Sequence, residues 1–152
     1  MSALSESLKR RLFYVIAHTC FALYRWFPVF GSLRASIAVI HRDGKILVIE
    51  RNDKRGVSLP GGIAKWREGL SETLGREVTE ETGMRVLQAD LQMQYHSDAD
   101  VPCDISVYRA EVVGELKQSW EGSPRWMTVE ELEPRLIESQ RPVLKLMRKV
   151  SG

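Results

Sequence analysis

Cysteine is scarce in this sequence, and low-complexity segments and internal repeats are missing. The two cysteines, Cys20 and Cys103, lie far apart in the 152-residue chain, which excludes a disulfide framework and a zinc site of closely spaced cysteines. Because Cys20 lies in an apolar run and Cys103 at the start of an expected strand, we expect both to be small core residues and not reactive thiols. The composition, 43% hydrophobic and 28% charged residues, is that of one globular domain.

The sequence also lacks an apolar run long enough to cross a bilayer. Residues 12–24 carry no charged side chain, but 13 residues are too few for a transmembrane helix. Three basic residues precede them, as in a secretory signal, yet no small-residue cleavage site follows. A helix here would be apolar over much of its circumference and would need a cover. We expect residues 1–33 to form a helical arm that packs on its own domain or on a second copy in a homodimer; contact of residues 8–30 with a membrane surface is the alternative.

The net charge of +2 is unevenly distributed. Residues 1–34 contain five basic residues and one acidic residue, and residues 139–152 contain four basic residues and no acidic one. The middle of the chain is therefore net acidic, which suits a cation site. We interpret the basic ends as charges at helix ends rather than as contacts with lipid or nucleic acid. We expect a cytoplasmic protein with no nucleic-acid partner.

Carboxylates are concentrated in residues 61–84, directly after a glycine pair. In a helix, Glu77, Glu80 and Glu81 lie at i, i+3 and i+4 and share one face. Such like charges repel unless a cation lies among them, and hard divalent cations prefer oxygen ligands. Arg76 can offset part of the repulsion and hold a carboxylate in place. A solvated acidic surface is the alternative.

The spacing of the whole stretch resembles the signature of the Nudix hydrolases over residues 62–84. The fixed positions, two of them fixed only by apolar character, are Gly62, Glu68, Arg76, Glu77, Val78, Glu80, Glu81, Gly83 and Met84. The flanking pattern of strands and helices extends the likeness to about residues 34–150. The resemblance implies the α/β class, with a Nudix-type α/β/α sandwich around a mixed central sheet in residues 34–152. The N-terminal arm would add an extra helix that the resemblance does not cover.

The same resemblance implies an activity and a metal. Nudix proteins typically cleave the diphosphate bond of a nucleoside diphosphate linked to another group, using a divalent metal. We expect Mg²⁺, with Mn²⁺ as a substitute. Carried over to this chain, Glu80, Glu81 and the carbonyl of Gly61 are the direct metal ligands. Glu77 is a ligand or the general base, and Arg76 orients Glu77.

Further site residues are more loosely implied. Glu68 would help to hold an additional metal, and a carboxylate from a later loop would add a ligand. Glu121 is the favoured loop carboxylate, and Asp104 and Glu111 compete with it.

Five residues are candidates for substrate contacts. They are Arg51, Lys54, Arg55, Gly62 and Trp66. The cations between residues 51 and 56 would meet phosphate, or else decorate a solvated turn. Gly62 allows a ligand to come close. Trp66 would stack on a base, or else belong to the core. Two other functions are a nucleotide-sensing Nudix-fold module that does not cut, and a hydrolase of membrane-associated diphosphates.

Local patterns predict the surrounding elements. Strands are expected at 35–41, 45–50, 86–96 and 105–113, a short strand from Arg125, and helices at 70–82, after Thr128 and at 141–150. Asp43 and Gly44 predict a hairpin turn between the first two strands.

Overall fold

A computed structural model describes residues 15–16, 19–20, 32–53, 56–119 and 122–151. The strands are β1 (Leu33–Val39), β2 (His41–Arg42), β3 (Lys45–Arg51), β4 (Val57–Ser58), β5 (Gly61–Ile63), β6 (Arg85–Ser97), β7 (Cys103–Val113) and β8 (Gly122–Met127). The α-helices are α1 (Leu70–Thr82), α2 (Val129–Leu132) and α3 (Leu144–Ser151), and two 3₁₀ helices cover Glu133–Arg135 and Glu138–Val143.

The described strands form two four-stranded sheets. The first sheet has the order β5-β1-β7-β6, and it is mixed because β1 and β7 are parallel while the other neighbours are antiparallel. The second sheet is antiparallel, with β3 at its centre between β4, β2 and β8. The predicted mixed α/β fold is confirmed.

The chain passes from the first sheet to the second at Ile40. The predicted strand 35–41 is therefore wrong as a single strand: β1 ends at Val39, and only the short β2 pairs with β3. The predicted turn is present between β2 and β3, where Asp43 and Gly44 both have positive φ angles of 51° and 73°. The buried Ile40 lies between β1 and β2, and its carbonyl accepts the N–H of Leu47 in β3 at 2.9 Å.

The strands β1 and β3 are buried on both faces, which explains their nearly continuous apolar sequences. Along β1, Ile37 and Val39 belong to a core cluster shared with α2 and α3, whereas Ala38 belongs to a second cluster beneath α1. Leu74 and Val78, four residues apart on α1, form an apolar stripe that is fully buried in that second cluster. Glu80 lies outside this stripe with an exposed side chain, whereas Glu81, seven residues after Leu74, lies on the buried side of the helix.

Two predictions at the ends of the chain need correction. Cys103 is buried as expected, but Cys20 is exposed, so the predicted core position of Cys20 is wrong. The last α-helix begins at Leu144 and not at residue 141, because a 3₁₀ helix containing Pro142 precedes it. Proline has no N–H for the regular helical ladder.

The predicted N-terminal arm lies mostly outside the described residues. The parts that are described, residues 15–16 and 19–20, are helical. Val15 and Ile16 are 62% and 53% exposed. Within the described part of the chain, no helix is long and apolar enough to span a membrane.

Candidate active site

Glycines cap the helix α1 at both ends. Gly69 is the N-cap, and its carbonyl accepts the Thr73 N–H at 2.8 Å. Gly83 has φ 75° and closes the helix in the left-handed conformation, as the sequence predicts. The observed bounds, Leu70–Thr82, equal the predicted ones.

The glycine pair in β5 lies directly against α1. The Gly61 N–H donates to Oε2 of Glu81 at 2.9 Å, and this carboxylate is only 8% exposed. A Cβ built on Gly62 would lie 2.6 Å from the carboxyl carbon of Glu77. Neither glycine can therefore be enlarged without disturbing a neighbour.

The atoms that an added Cβ would meet differ between Gly61 and Gly62, so alanine should have a different effect at each position. Gly61 has φ 145°, and its added Cβ would collide with the backbone of Ser36 and Ile37. We expect Gly61→Ala to lower the free energy of unfolding by about 3 kcal/mol. Gly62→Ala displaces only the end of the Glu77 side chain, so we expect a stability loss below about 1 kcal/mol together with a loss of activity. Urea unfolding of both variants measures the contrast, and equal losses would contradict it.

Arg76 forms hydrogen bonds with three carboxylates, two on α1 and one in the loop before it. Its Nε and Nη2 donate to the two oxygens of Glu68 at 2.7 and 3.0 Å. Its Nη1 donates to Glu77 at 2.6 Å and reaches Glu80 at 3.3 Å. A guanidinium is suited to this arrangement because its planar fork carries five donors. One cation thus holds three carboxylates.

Glu68 lies in the loop before α1, and four hydrogen bonds hold its carboxylate. Besides Arg76, its Oε2 accepts the Lys65 N–H and the Thr73 hydroxyl, each at 2.9 Å. These bonds, led by that from Arg76, lower the pKa of Glu68 to about 2. Glu68 is therefore a charged acceptor that fixes the guanidinium of Arg76.

Thr73 has a buried hydroxyl on which this anchor depends. We expect Thr73→Val to lower the free energy of unfolding by about 1 kcal/mol and to speed hydrogen exchange at Nε–H of Arg76. Thr73→Ser should restore both values. Nitrogen-15 NMR of the guanidinium measures the exchange.

The matched control for that variant is Thr79→Val on the same helix. The Thr79 hydroxyl donates to the carbonyls of Gly75 and Met84, so its loss should cost stability without changing Arg76. Unchanged exchange at Arg76 in Thr73→Val would contradict the role of Thr73.

The three predicted helix carboxylates differ in accessibility. Glu80 is the most open, with a side chain 57% exposed, whereas that of Glu77 is 14% exposed. Among the described residues, no three acidic, histidine or cysteine side chains are grouped so as to hold a metal ion. In this conformation Glu77 and Glu80 accept hydrogen bonds from Arg76, and Glu81 accepts one from the Gly61 N–H. The ligand roles of Glu77, Glu80 and Glu81 stay predictions.

Arg51 is the only one of the three predicted phosphate-facing cations that the structure describes; Lys54 and Arg55 lie outside the described residues. Its Nη2 is 2.8 Å from Oδ2 of Asp53. This hydrogen bond, followed by the charges of Asp53, Asp100 and Glu81, raises the pKa of Arg51. Arg51 is thus an electrostatic neighbour of Glu81. Local sequence patterns do not predict that Asp100 acts on Arg51, because the two residues lie about fifty positions apart in the chain.

Asp104 and Glu111, the competing candidates for a loop carboxylate, lie on β7 and not in a loop. Asp104 pairs with Nδ1 of His96 at 2.7 Å, and Asp98 pairs with Nε2 at 3.1 Å. Asp104, and then Asp98, raise the pKa of His96. Glu111 is exposed on β7. Glu121, the favoured residue, lies outside the described residues.

Trp66 does not belong to the core. It is 86% exposed at the tip of the loop before α1.

A mixed sheet flanked by helices, with a carboxylate-rich helix facing a glycine pair, defines a Nudix-type domain. The model of the NUDIX domain family matches residues 32–147, and the chain belongs to the Nudix hydrolase family. It is 30% identical over 113 residues to a MutT-like protein from Streptomyces ambofaciens, which covers 73% of both chains.

Solved structures agree on the fold. The crystal structure of a MutT NUDIX hydrolase from Burkholderia pseudomallei matches with a TM-score of 0.67 and 26% identity, over 75% of this chain and 96% of the other. The solution structure of the E. coli ORF135 protein matches with a TM-score of 0.69 and 21% identity, over 83% and 95% of the two chains. The second likeness concerns the fold alone. Nudix hydrolases generally use divalent metals such as Mg²⁺ and bind nucleotide derivatives.

Proposed function

We propose that this protein is a Mg²⁺-dependent hydrolase that cleaves the diphosphate bond of a nucleoside diphosphate linked to another moiety, with Mn²⁺ as a substitute metal. The observation that supports it most directly is the placing of two α1 carboxylates against the glycine pair: Arg76 holds Glu77 next to Gly62, and Glu81 accepts the Gly61 N–H. A structural surface helix has no need of carboxylates held against a glycine backbone.

The donor set fits a hard divalent cation. Glu80, Glu81 and the Gly61 carbonyl would hold it, and all offer oxygen atoms. Glu80 is free to turn because its side chain is largely exposed and its contact with Arg76 is long, at 3.3 Å. When bound, such a cation neutralises phosphate charge and makes water a better nucleophile.

The other residues of the site would position groups. Arg76 keeps Glu77 next to Gly62, where Glu77 would accept a proton from the attacking water or complete the cation site. Glu68 fixes Arg76 and would help to hold an additional cation. Glu121 would supply the later carboxylate.

The substrate's phosphates would meet backbone and cations from two segments. Gly62 has no side chain to block close approach. Arg51 is the last residue of β3, and Lys54 and Arg55 follow it in the sequence. Cations there would offset the charge of a diphosphate beside the acidic helix. We propose residues 34–152 as the catalytic domain and residues 1–33 as a separate helical arm.

The test uses the purified full chain and a panel of linked nucleoside diphosphates with Mg²⁺ or Mn²⁺. Release of a nucleoside monophosphate that stops on adding a chelator is the expected result. Tight nucleotide binding by calorimetry without any product, across the panel, would instead identify a sensor.

A further inference from the structure

An exposed aromatic residue between two cations forms the tip of the loop before α1. Trp66 is 86% exposed, and Lys65 and Arg67 on either side are exposed too. Large aromatic side chains are usually at least half buried in a folded protein. An outward tryptophan with flanking cations therefore indicates a contact with something outside the chain.

The loop holds this tryptophan outward through its own hydrogen bonds. The Lys65 N–H donates to Oε2 of Glu68 at 2.9 Å, and the Glu68 N–H donates back to the Lys65 carbonyl at 3.0 Å. Arg67 adopts φ 64°, which the tight turn requires. Because Glu68 is also tied to Arg76, Trp66 is displayed by a rigid turn.

The same loop lies beside the point at which the N-terminal arm joins the domain. The Ala64 N–H donates to the Arg34 carbonyl at 2.7 Å, and Nη2 of Arg34 donates to the Glu68 carbonyl at 3.2 Å. Arg34 is thus a third exposed cation near Trp66.

The arm carries matching chemistry. Residues 1–33 have four basic side chains and one acidic side chain, and they contain the uncharged run 12–24. Within that run, Val15 and Ile16 are helical and exposed.

We propose that Trp66, Lys65, Arg67 and Arg34, here called the Trp66 patch, bind the surface of an anionic lipid bilayer together with the N-terminal arm. Tryptophan favours the membrane–water interface. Clustered cations are attracted to anionic headgroups, and the uncharged run 12–24 with the basic residues before it would bring apolar side chains and positive charge to the same surface. In this role Trp66 contacts lipid and does not stack on a substrate base.

A lipid surface fits better than a second copy or a nucleic acid. A two-fold interface through the Trp66 patch would place its three cations against the same three cations of the other copy. A nucleic acid would match the cations but leave the apolar arm without a contact. Binding to a bilayer uses both parts, and it is independent of whether the proposed hydrolysis occurs.

The test is flotation of the full chain with vesicles of phosphatidylcholine alone or with about one third phosphatidylglycerol. We expect at least about fivefold more protein to float with the anionic vesicles, and less at high salt. Trp66→Ala and Arg67→Glu should each reduce flotation about threefold or more, while Trp66→Phe should retain most of it. Leu87→Ala, a matched change at a residue that is also exposed, on β6, should float like the wild type.

Tryptophan fluorescence separates contact by the patch from contact by the arm alone. In a Trp26→Phe background, in which the arm carries no tryptophan, emission should shift to shorter wavelength with anionic vesicles, and adding Trp66→Phe should lose most of that shift. Wild-type flotation of both Trp66→Ala and Arg67→Glu, or equal flotation with neutral vesicles, would overturn the proposal. So would loss of a dimer, loss of oligonucleotide binding or a raised KM in Trp66→Ala with flotation unchanged.

Discussion

Replacing Glu77 by glutamine is expected to lower turnover about 10²–10⁴-fold while leaving the fold intact. Glutamine keeps the size of the side chain and an oxygen that accepts the Arg76 N–H. It loses the negative charge that would take a proton from water or bind a cation. The carboxyl of Glu77 lies against Gly62 and 2.6 Å from Nη1 of Arg76, so the charge is lost where the substrate's diphosphate would approach.

The measurement is kcat on the best substrate of the panel, with urea unfolding as the check on the fold. Glu72→Gln is the matched control: it makes the same change on the same helix, at an exposed residue whose carboxylate only caps Gly69. We expect the control to keep its turnover. Undiminished turnover of Glu77→Gln would remove Glu77 from the reaction.

Replacing Arg76 by alanine is expected to affect both stability and activity. It leaves Glu68, Glu77 and Glu80 without their shared cation. Breaking a buried pair costs about 3–5 kcal/mol, but an exposed pair contributes about 1 kcal/mol or less. The Arg76 side chain is 19% exposed, so we expect a loss of about 2 kcal/mol from the free energy of unfolding.

Arg76→Lys is the informative companion. An ammonium keeps the charge but cannot donate to both oxygens of Glu68 and to Glu77 in one plane. We expect partial recovery of stability and little recovery of kcat. Full recovery of kcat in Arg76→Lys would show that only the positive charge at this position matters and that the planar guanidinium does not position Glu77.

The difference in the free energy of unfolding between the wild type and Arg76→Ala should also depend on pH. Arg76 is the first cause of the lowered pKa of Glu68, about 2 against an ordinary 4.5. A lowered carboxyl pKa in the folded state stabilises the protein above the unfolded pKa, and this contribution is lost as pH falls through the folded one. The gap between wild type and Arg76→Ala should therefore narrow from pH 5 to pH 2 in denaturant titrations. A gap that stays constant over this range would contradict the assignment.

Local signals predicted the site helix well and the strands around it less well. The Leu70–Thr82 bounds and the cap at Gly83 follow from nearby residues, as does the turn at Asp43 and Gly44. The strands β4 and β5 have two and three residues, too few to show a period. The change of sheet at Ile40 was missed because apolar residues run through it without a break.

The sequence by itself determined that the protein has a capped helix with three carboxylates on one face and a glycine pair before it. Those features depend on spacings of one to four residues, which helix geometry converts directly into positions. Only the tertiary structure decided that Arg76 is gripped by Glu68, that Gly61 donates to Glu81 and that Thr73 supports the anchor. Those pairs join a loop or a strand to a helix, and their geometry depends on how the glycine strand packs beside β1 and beneath α1.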